Sequence, residues 1–209
     1  IFDNIVKVIN NNANSEYRGF GIHSFLFVID DFLRGDYMPK NVFDFLCNVV
    51  LNVKESERKA EDVKEKDIYN TAINQARGHA AYMLIECYRF KEYQDKIFDT
   101  LENIASTASV YTRSAILLNM ALLNHLDQQR NVLLFKMLLH DYDERLLAMP
   151  IHNYNPLVYF VNYAVDDILD VFVHAIDEPW CYKEQVIILW LAWVHNNYRN
   201  DIKVLLDKM

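Results

Sequence analysis

The chain has 209 residues, 52% of them hydrophobic, and a formal net charge of −8 from 29 acidic and 21 basic side chains. Only four glycines and four prolines are present, whereas β-sandwiches and barrels need a turn residue about every 8–12 positions and phosphate-binding folds need glycine-rich loops. The composition therefore excludes those classes and intrinsic disorder, and it predicts an all-α protein with a substantial core.

Charge and cysteine content bear on location and partners. The acidic balance and the absence of three consecutive basic residues argue against a nucleic-acid-binding surface. The longest apolar stretch, residues 186–194, is far shorter than the roughly 18 residues that a membrane span needs. Three scattered cysteines favour reduced thiols over a disulfide framework or a zinc ribbon. We therefore expect a cytoplasmic protein without a signal peptide, and the first residue, Ile1, suggests a piece of a longer chain.

The N-terminal quarter is predicted to be helical, because its apolar residues recur at intervals of three and four. The pattern predicts helices at 1–10 and 23–33, with Gly35 as the residue that closes the second. Pro39 suits the first turn of a third helix, which extends to about Asn52.

The region between the N-terminal helices and the rest of the chain is highly charged. Residues 54–66 carry five positive and five negative side chains, which predicts a solvated helix extension or linker, with a binding surface as the alternative. We therefore divide the chain into N-terminal helices of an array (1–53), a charged linker or helix extension (54–68) and helical repeats (69–209).

The remainder is predicted to be helical throughout, with short connections. Apolar stripes predict helices at 80–88, 97–104, 111–123, 129–139, 157–165, 167–175, 182–196 and from Asp201 onwards. Helices of this length joined by short links favour stacked antiparallel pairs over a bundle with long crossovers.

Two segments look like copies of one unit. Residues 74–84 can be aligned with 110–118, which places Arg77 on Arg113, 36 residues away, and each arginine precedes a small residue and then apolar positions. A helix pair with its turns occupies about this span. We interpret Arg77 and Arg113 as residues that either tie neighbouring repeats or contact a partner. Gly78 costs a helix up to about 1 kcal/mol relative to alanine, so we expect close helix packing there.

The first segment also carries a family resemblance, through Asn74, Ala76, Arg77, Gly78 and Ala80. These residues resemble the opening of the inner helix of HEAT-like repeats. Together with residues 134–150 and the aromatic-rich segment 156–163, they are similar to the C-terminal helical-repeat region of large bacterial STAND-type P-loop NTPases, many of them implicated in antiphage defence. The resemblance covers roughly residues 70–196.

The resemblance implies a HEAT-like α-solenoid, which is an α-α superhelix of antiparallel helix pairs. It also implies that nucleotide chemistry lies elsewhere in the parent protein, since this chain has no GxxxxGK[ST] motif. Each solenoid repeat contacts only its neighbours and leaves an extended face free. We therefore predict a non-catalytic scaffold or sensor segment, without a cofactor or metal, that binds a protein or another part of its own chain. Binding of DNA along such a solenoid is disfavoured by the acidic charge, and no membrane binding is expected.

Aromatic residues gather near the C-terminal end of the chain. Most of them suit a core, but tyrosine and tryptophan are also common at recognition surfaces. The candidate partner contacts in this region are Tyr159, Tyr163 and Trp180.

An acidic cluster keeps a catalytic alternative open. Asp166, Asp167 and Asp170 fit the DDxxD pattern with which all-α prenyl-diphosphate and terpene synthases hold magnesium. The alternative function is therefore a metal-dependent enzyme acting on a diphosphate substrate. The structural interpretation is that acidic side chains are favoured at a helix N-terminus by its N–H groups and dipole. We favour it, because the sequence offers no second metal motif.

The remaining histidines and cysteines give no recognised catalytic pattern. The densest acid-rich cluster comprises His140, Asp141, Asp143 and Glu144. It lies where a helix should end, which favours a capped turn over a metal site. Cysteines inside apolar stripes predict buried, inert thiols, and these are Cys47, Cys87 and Cys181.

Overall fold

The computed structural model describes residues 2–11, 18–55, 68–147, 159–175 and 183–208. All regular secondary structure in these ranges is helical, which confirms the all-α prediction. The α-helices are α1 (Phe2–Asn11), α2 (Arg18–Leu33), α3 (Lys40–Asn52), α4 (Ile68–Ile73), α5 (Ala76–Glu86), α6 (Gln94–Ala105), α7 (Val110–Asn119), α8 (Gln128–Leu138), α9 (Glu144–Leu147), α10 (Val165–Ala175), α11 (Lys183–His195) and α12 (Asn200–Leu206). In this part of the chain no helix has the length and apolar character that a bilayer crossing requires.

The largest difference from the predicted boundaries is at α2. This helix begins at Arg18, five residues before the predicted start, so that Gly21 lies inside it. Two buried side chains of its first turns, Ile22 and Phe25, offset the roughly 1 kcal/mol that a helical glycine costs. The helix ends at Leu33, and none of the described glycines has the positive φ of a left-handed helix cap.

A second difference concerns the helix predicted at 157–165. Helical residues there end at Phe160, a turn occupies 161–163, and α10 begins at Val165. The N–H groups of Tyr163 and Ala164 both donate to the Phe160 carbonyl (3.1 and 2.8 Å), which closes the turn. Residues 157 and 158 lie outside the described ranges.

The chain divides into two compact units, Ile1–Ile116 and Leu117–Met209. The linker predicted from the charge run lies mostly at residues 56–67, which are not described, so the division at 54–68 stays a prediction.

In the first unit, two successive helix pairs pack with α2 against α5 and α3 against α6, while α3 also packs against α5. Three contacts give the direction of α2 relative to α5. The His23 Nε2–H donates to the carbonyl of Ile73 (3.1 Å), the Phe27 and His79 rings lie 5.0 Å apart, and Arg89 donates to the carbonyl of Gly35 (3.1 Å). The residue numbers of the contacting partners rise together, from 23 and 73 through 27 and 79 to 35 and 89, so α2 and α5 run in the same direction.

The second helices of the two pairs show the same relationship. The Tyr93 hydroxyl donates to the carbonyl of Met38 (3.0 Å), and Lys96 donates to the carboxylate of Asp44 (2.6 Å). Four of the hydrogen bonds that join the pairs connect residues 50 to 55 positions apart, and a fifth, from Arg77 to the carbonyl of Val50, connects residues 27 positions apart. The first four place α5 alongside α2 and α6 alongside α3, with each two helices running in the same direction.

Helix α5 is central to this unit, because eight of its eleven residues are buried. Small residues such as Ala80 and Ala81 let its neighbours approach, while Leu84 and Ile85 fill the space between helices. Burying each such large aliphatic side chain contributes about 1.5–3 kcal/mol to stability.

In the second unit, α10 packs against α9 and α12, and α11 packs against α12. The end of α11 is closed by a backbone hydrogen bond and an aromatic contact. Asn197 and Tyr198 have positive φ values (55° and 59°), and the Tyr198 N–H donates to the carbonyl of Trp193 (2.9 Å). The two aromatic rings meet edge to face, 4.8 Å apart. This is a Schellman cap with its hydrophobic contact.

Gly78 lies where the backbone of α4 crosses close to α5. A Cβ atom added at Gly78 would come within 2.8 Å of the carbonyl carbon of Ala72, whereas one added at Gly21 would meet nothing within 4 Å. The helix that approaches Gly78 is therefore the one immediately before it in the chain.

We expect Gly78→Ala to lower the free energy of unfolding by about 1–3 kcal/mol, because the added methyl overlaps a backbone that has little room to move. The matched control, Gly21→Ala, is expected to raise it by up to about 1 kcal/mol through helix propensity alone. Urea unfolding followed by circular dichroism measures both. Equal effects of the two substitutions would contradict the close approach at Gly78.

Candidate functional site

Arg77 lies in the first turn of α5 and reaches back to the end of α3. Its Nε donates to the carbonyl of Val50 (2.7 Å), and its guanidinium lies 3.6 Å from the carboxylate of Glu55. The two charged side chains are only 13% and 11% exposed. Arg77 thus satisfies a carbonyl that the end of α3 leaves without an intrahelical partner.

The same Glu55 carboxylate also holds the start of α7. It accepts a hydrogen bond from the backbone N–H of Ser109 (3.0 Å) and another from the hydroxyl of Thr112. One carboxylate, three residues after the end of α3, therefore contacts both the start of α5 and the start of α7. We name Glu55, Arg77, Ser109 and Thr112 the Glu55 junction.

The sequence assigned Glu55 to a solvated charge run, and that prediction is wrong for this residue. It lies three residues after the end of α3 and 54 before Ser109, and the fold brings it beside the starts of α5 and α7. Composition alone does not indicate this burial, because it depends on which later segments of the chain pack against Glu55.

Arg113, aligned with Arg77 by sequence, lies one residue after Thr112 in the first turn of α7. It is 5% exposed. Arg77 is the second residue of α5 and Arg113 the fourth residue of α7. Both side chains are largely buried, so neither presents its guanidinium to solvent.

The three aromatic candidates differ in their placement. Tyr159 is partly exposed, and Tyr163 is half-buried and donates its hydroxyl to Asn124. Burial raises the pKa of Tyr163 to about 12. Trp180 lies outside the described residues.

The acidic cluster on α10 is divided among three partners. Asp166 pairs with Arg199 (2.8 Å), Asp167 pairs with Lys136 (2.8 Å), and Asp170 accepts a hydrogen bond from the Tyr142 hydroxyl (2.7 Å). These contacts tie α10 to α8, to the turn after α8 and to the residue before α12. Within the described ranges, no three histidine, cysteine, aspartate or glutamate side chains are placed to hold a metal ion.

The other charged and nucleophilic candidates are likewise held within the protein. Asp143 accepts from the backbone N–H (3.0 Å) and the Nε (2.9 Å) of Arg145, so it caps the short α9. Cys47 and Cys87 are buried free thiols. Burial raises the pKa of both, that of Cys87 to about 12, which disfavours the nucleophilic thiolate. Cys181 lies outside the described part of the chain.

A different group of residues lies on the outer side of the contact between α2 and α5. We name it the α2–α5 surface, and it consists of His23, Phe27 and Asp30 from α2 and His79, Tyr82 and Glu86 from α5. The spacings of these residues, four and three along α2 and three and four along α5, place each trio on one helical face. Because the two helices are parallel, the two faces meet along their length.

Aromatic rings form one end of the α2–α5 surface. The Phe27 ring lies 5.0 Å from both the His23 and the His79 rings, and Tyr82 lies 6.4 Å from His79. Phe27 is nevertheless 60% exposed, and the adjacent Val28 is exposed as well. The exposed Phe27 ring therefore packs against both imidazole rings.

Acidic groups form the other end. Burial raises the pKa of Glu86, and the negative charge of Asp30 adds to the rise. The pKa of Tyr82 is raised by burial, by Glu86 and, more weakly, by Tyr69 and Asp30. Sequence reasoning missed this surface, because nothing in the sequence pairs α2 positions with α5 positions about 52–56 residues later.

Comparisons with protein-family models, with curated proteins and with solved structures give no match to this chain. The chain's own residues are therefore the guide to its function.

We expect Glu55→Gln to lower the free energy of unfolding by about 2–4 kcal/mol, because it leaves Arg77 buried without its counter-charge and weakens two hydrogen bonds. A surface pair provides the control. Arg34→Met removes the exposed Arg34–Asp30 pair (2.8 Å) and should change stability by at most about 0.5 kcal/mol. Urea denaturation of the three proteins checks this. A loss for Glu55→Gln as small as the control's would mean that the Glu55 junction contributes little.

Proposed function

We propose that this chain is a non-catalytic helical-repeat scaffold of the HEAT-like type, which binds a protein partner or another part of its own chain. The observation that carries the proposal is the parallel packing of α5 on α2 and of α6 on α3, marked by four hydrogen bonds between residues 50 to 55 positions apart. First helix against first helix and second against second is the arrangement expected of neighbouring solenoid repeats.

The exposed apolar residues of α2 support the binding part of the proposal. Phe27 and Val28 lie next to each other in α2, between Leu26 and Ile29, which are fully buried. The Phe27 ring also contacts His79 of the next helix pair, so the surface extends over two repeats. Partly exposed aromatic residues of this kind are typical of the central contacts in protein interfaces.

The placement of the reactive side chains supports a non-catalytic role. Asp166, Asp167 and Asp170 each have a separate protein partner, so a magnesium ion would have to compete with Arg199, Lys136 and Tyr142. This makes the alternative of a diphosphate-using enzyme the less favoured one.

A cytoplasmic location and a STAND-type parent belong to the same proposal. The free thiols of Cys47 and Cys87 suit a reducing compartment. In a parent of this type, the scaffold would sense a ligand or protein while a separate domain hydrolyses the nucleotide.

We expect Phe27→Asp to weaken capture of a protein partner on the immobilised chain by about tenfold or more, since it places a charge where the partner would bury an aromatic contact. Leu51→Asp, an exposed position on α3, is the matched control and should leave capture unchanged. Quantitative mass spectrometry of proteins retained from extracts of the source organism, followed by calorimetry with the purified partner, measures the effect.

Two results would contradict the proposal. One is the absence of any retained protein whose binding depends on Phe27. The other is stabilisation of the chain by magnesium with diphosphate in a thermal-shift scan, abolished by Asp170→Asn, which would favour the enzyme instead.

A further inference from the structure

We propose that the α2–α5 surface binds a lysine or arginine side chain presented by the protein partner. This inference rests on the proposed function, because it names the chemistry by which the scaffold recognises its partner. The surface combines an acidic group that makes no salt bridge, an exposed aromatic ring and a buried nitrogen without a hydrogen-bond partner.

Glu86 is the acidic group that makes no salt bridge. It is half-buried, and no cation among the described residues lies within salt-bridge distance of it. Neighbouring Asp30 is paired with Arg34 (2.8 Å), and Arg89, whose charge lowers the pKa of Glu86 from further away, donates to the Gly35 carbonyl. A cation bound beside Glu86 would offset the free-energy cost of its partly buried charge and its repulsion from Asp30.

The aromatic groups supply the second part of the recognition. A cation within about 6 Å of an aromatic face is attracted by roughly 0.5–2 kcal/mol, more when it is desolvated. Phe27 offers an exposed ring, and Tyr82 lies on the same helical face as Glu86, one turn before it. An extended side chain could therefore lie along the rings with its charged end at the carboxylate.

His79 supplies the third part. It is 8% exposed, and in the described structure its Nδ1 has no hydrogen-bond partner. Burial lowers the pKa of His79 to about 4, assisted by the proximity of His23. The ring is therefore neutral at pH 7, so it does not repel a cation, and a neutral imidazole has one nitrogen that accepts an N–H. An unsatisfied buried nitrogen gains about 1–3 kcal/mol from a partner.

The same groups disfavour a metal ion as the occupant. The two imidazoles come without a third ligand, since the described part of the chain holds no three-residue metal group. A protein side chain fits better, because its stem has the exposed Phe27 and Val28 to pack against while only its end needs the carboxylate.

The direct test is a nuclear magnetic resonance titration of the isotope-labelled 209-residue chain with two short probes. One is acetyl-Gly-Arg-Gly-amide, and the other is the same peptide with citrulline, which has the shape of arginine without its charge. The arginine peptide should shift the signals of Phe27, His79, Tyr82 and Glu86. The citrulline peptide should bind about tenfold more weakly, because the ionic and cation–π contributions are lost.

Variants identify the groups responsible. Glu86→Gln should weaken the arginine peptide about tenfold, while Glu92→Gln, the same change at an exposed glutamate outside the surface, should leave its affinity unchanged. Phe27→Leu keeps an apolar side chain but removes the ring, so a severalfold loss is expected from it as well. Spectra that are unchanged away from the surface establish that each variant is folded.

The outcomes separate this inference from the proposed function. Equal binding of the arginine and citrulline peptides, no shift at the surface, or an arginine affinity that Glu86→Gln leaves intact would each overturn cation recognition. If Phe27→Asp still abolishes partner capture in that case, the scaffold function stands with an apolar contact alone. If the arginine peptide binds as expected but no protein is captured, the proposed function is the part that fails.

Discussion

The Glu55 carboxylate is the interaction on which the arrangement of the first unit depends. It lies just after α3, yet its oxygens accept from the backbone of Ser109 and the hydroxyl of Thr112 and face the guanidinium of Arg77. Those contacts fix where three helices end or begin relative to one another. Because carboxylate and guanidinium are almost fully buried, loss of one leaves the other without compensation, which is what makes a buried ion pair costly to break. The long charged segment between α3 and α4 is thus anchored at its first residues.

The parallel packing of α5 against α2 produces the α2–α5 surface. Because α5 lies parallel to α2, the helical face of His23, Phe27 and Asp30 lies next to the helical face of His79, Tyr82 and Glu86. Phe27 then contacts His79, and Asp30 influences Glu86, although about 52 to 56 residues separate them in the chain. A surface assembled from two helix pairs is the kind of site that a single helix could not provide. The proposed cation recognition therefore depends on the same stacking as the fold.

Local features were accessible from the sequence, and long-range ones were not. The helical period predicted α3, α6 and α8 closely, because apolar spacing reports directly on which face is buried. The energetic cost of Gly78 pointed to a close approach, but only the structure identifies Ala72 as the neighbour. The burial of Glu55 depends on where α5 and α7 begin in space, and the proximity of Asp30 to Glu86 depends on the packing of α2 against α5. Local sequence patterns report neither. The sequence comparison of Arg77 with Arg113 suggested a unit of 36 residues, since it aligns α5 with α7 and leaves out the first pair.

Native-state hydrogen exchange on the wild-type chain and on Glu55→Gln tests the central claim most directly. The informative amides are those of Val53, His79 and Arg113, each hydrogen-bonded within its own helix end. If Glu55 holds the three helices together, the substitution should reduce protection at all three by a similar factor, about thirtyfold or more. A loss confined to Val53, or unchanged protection at His79 and Arg113, would contradict the account.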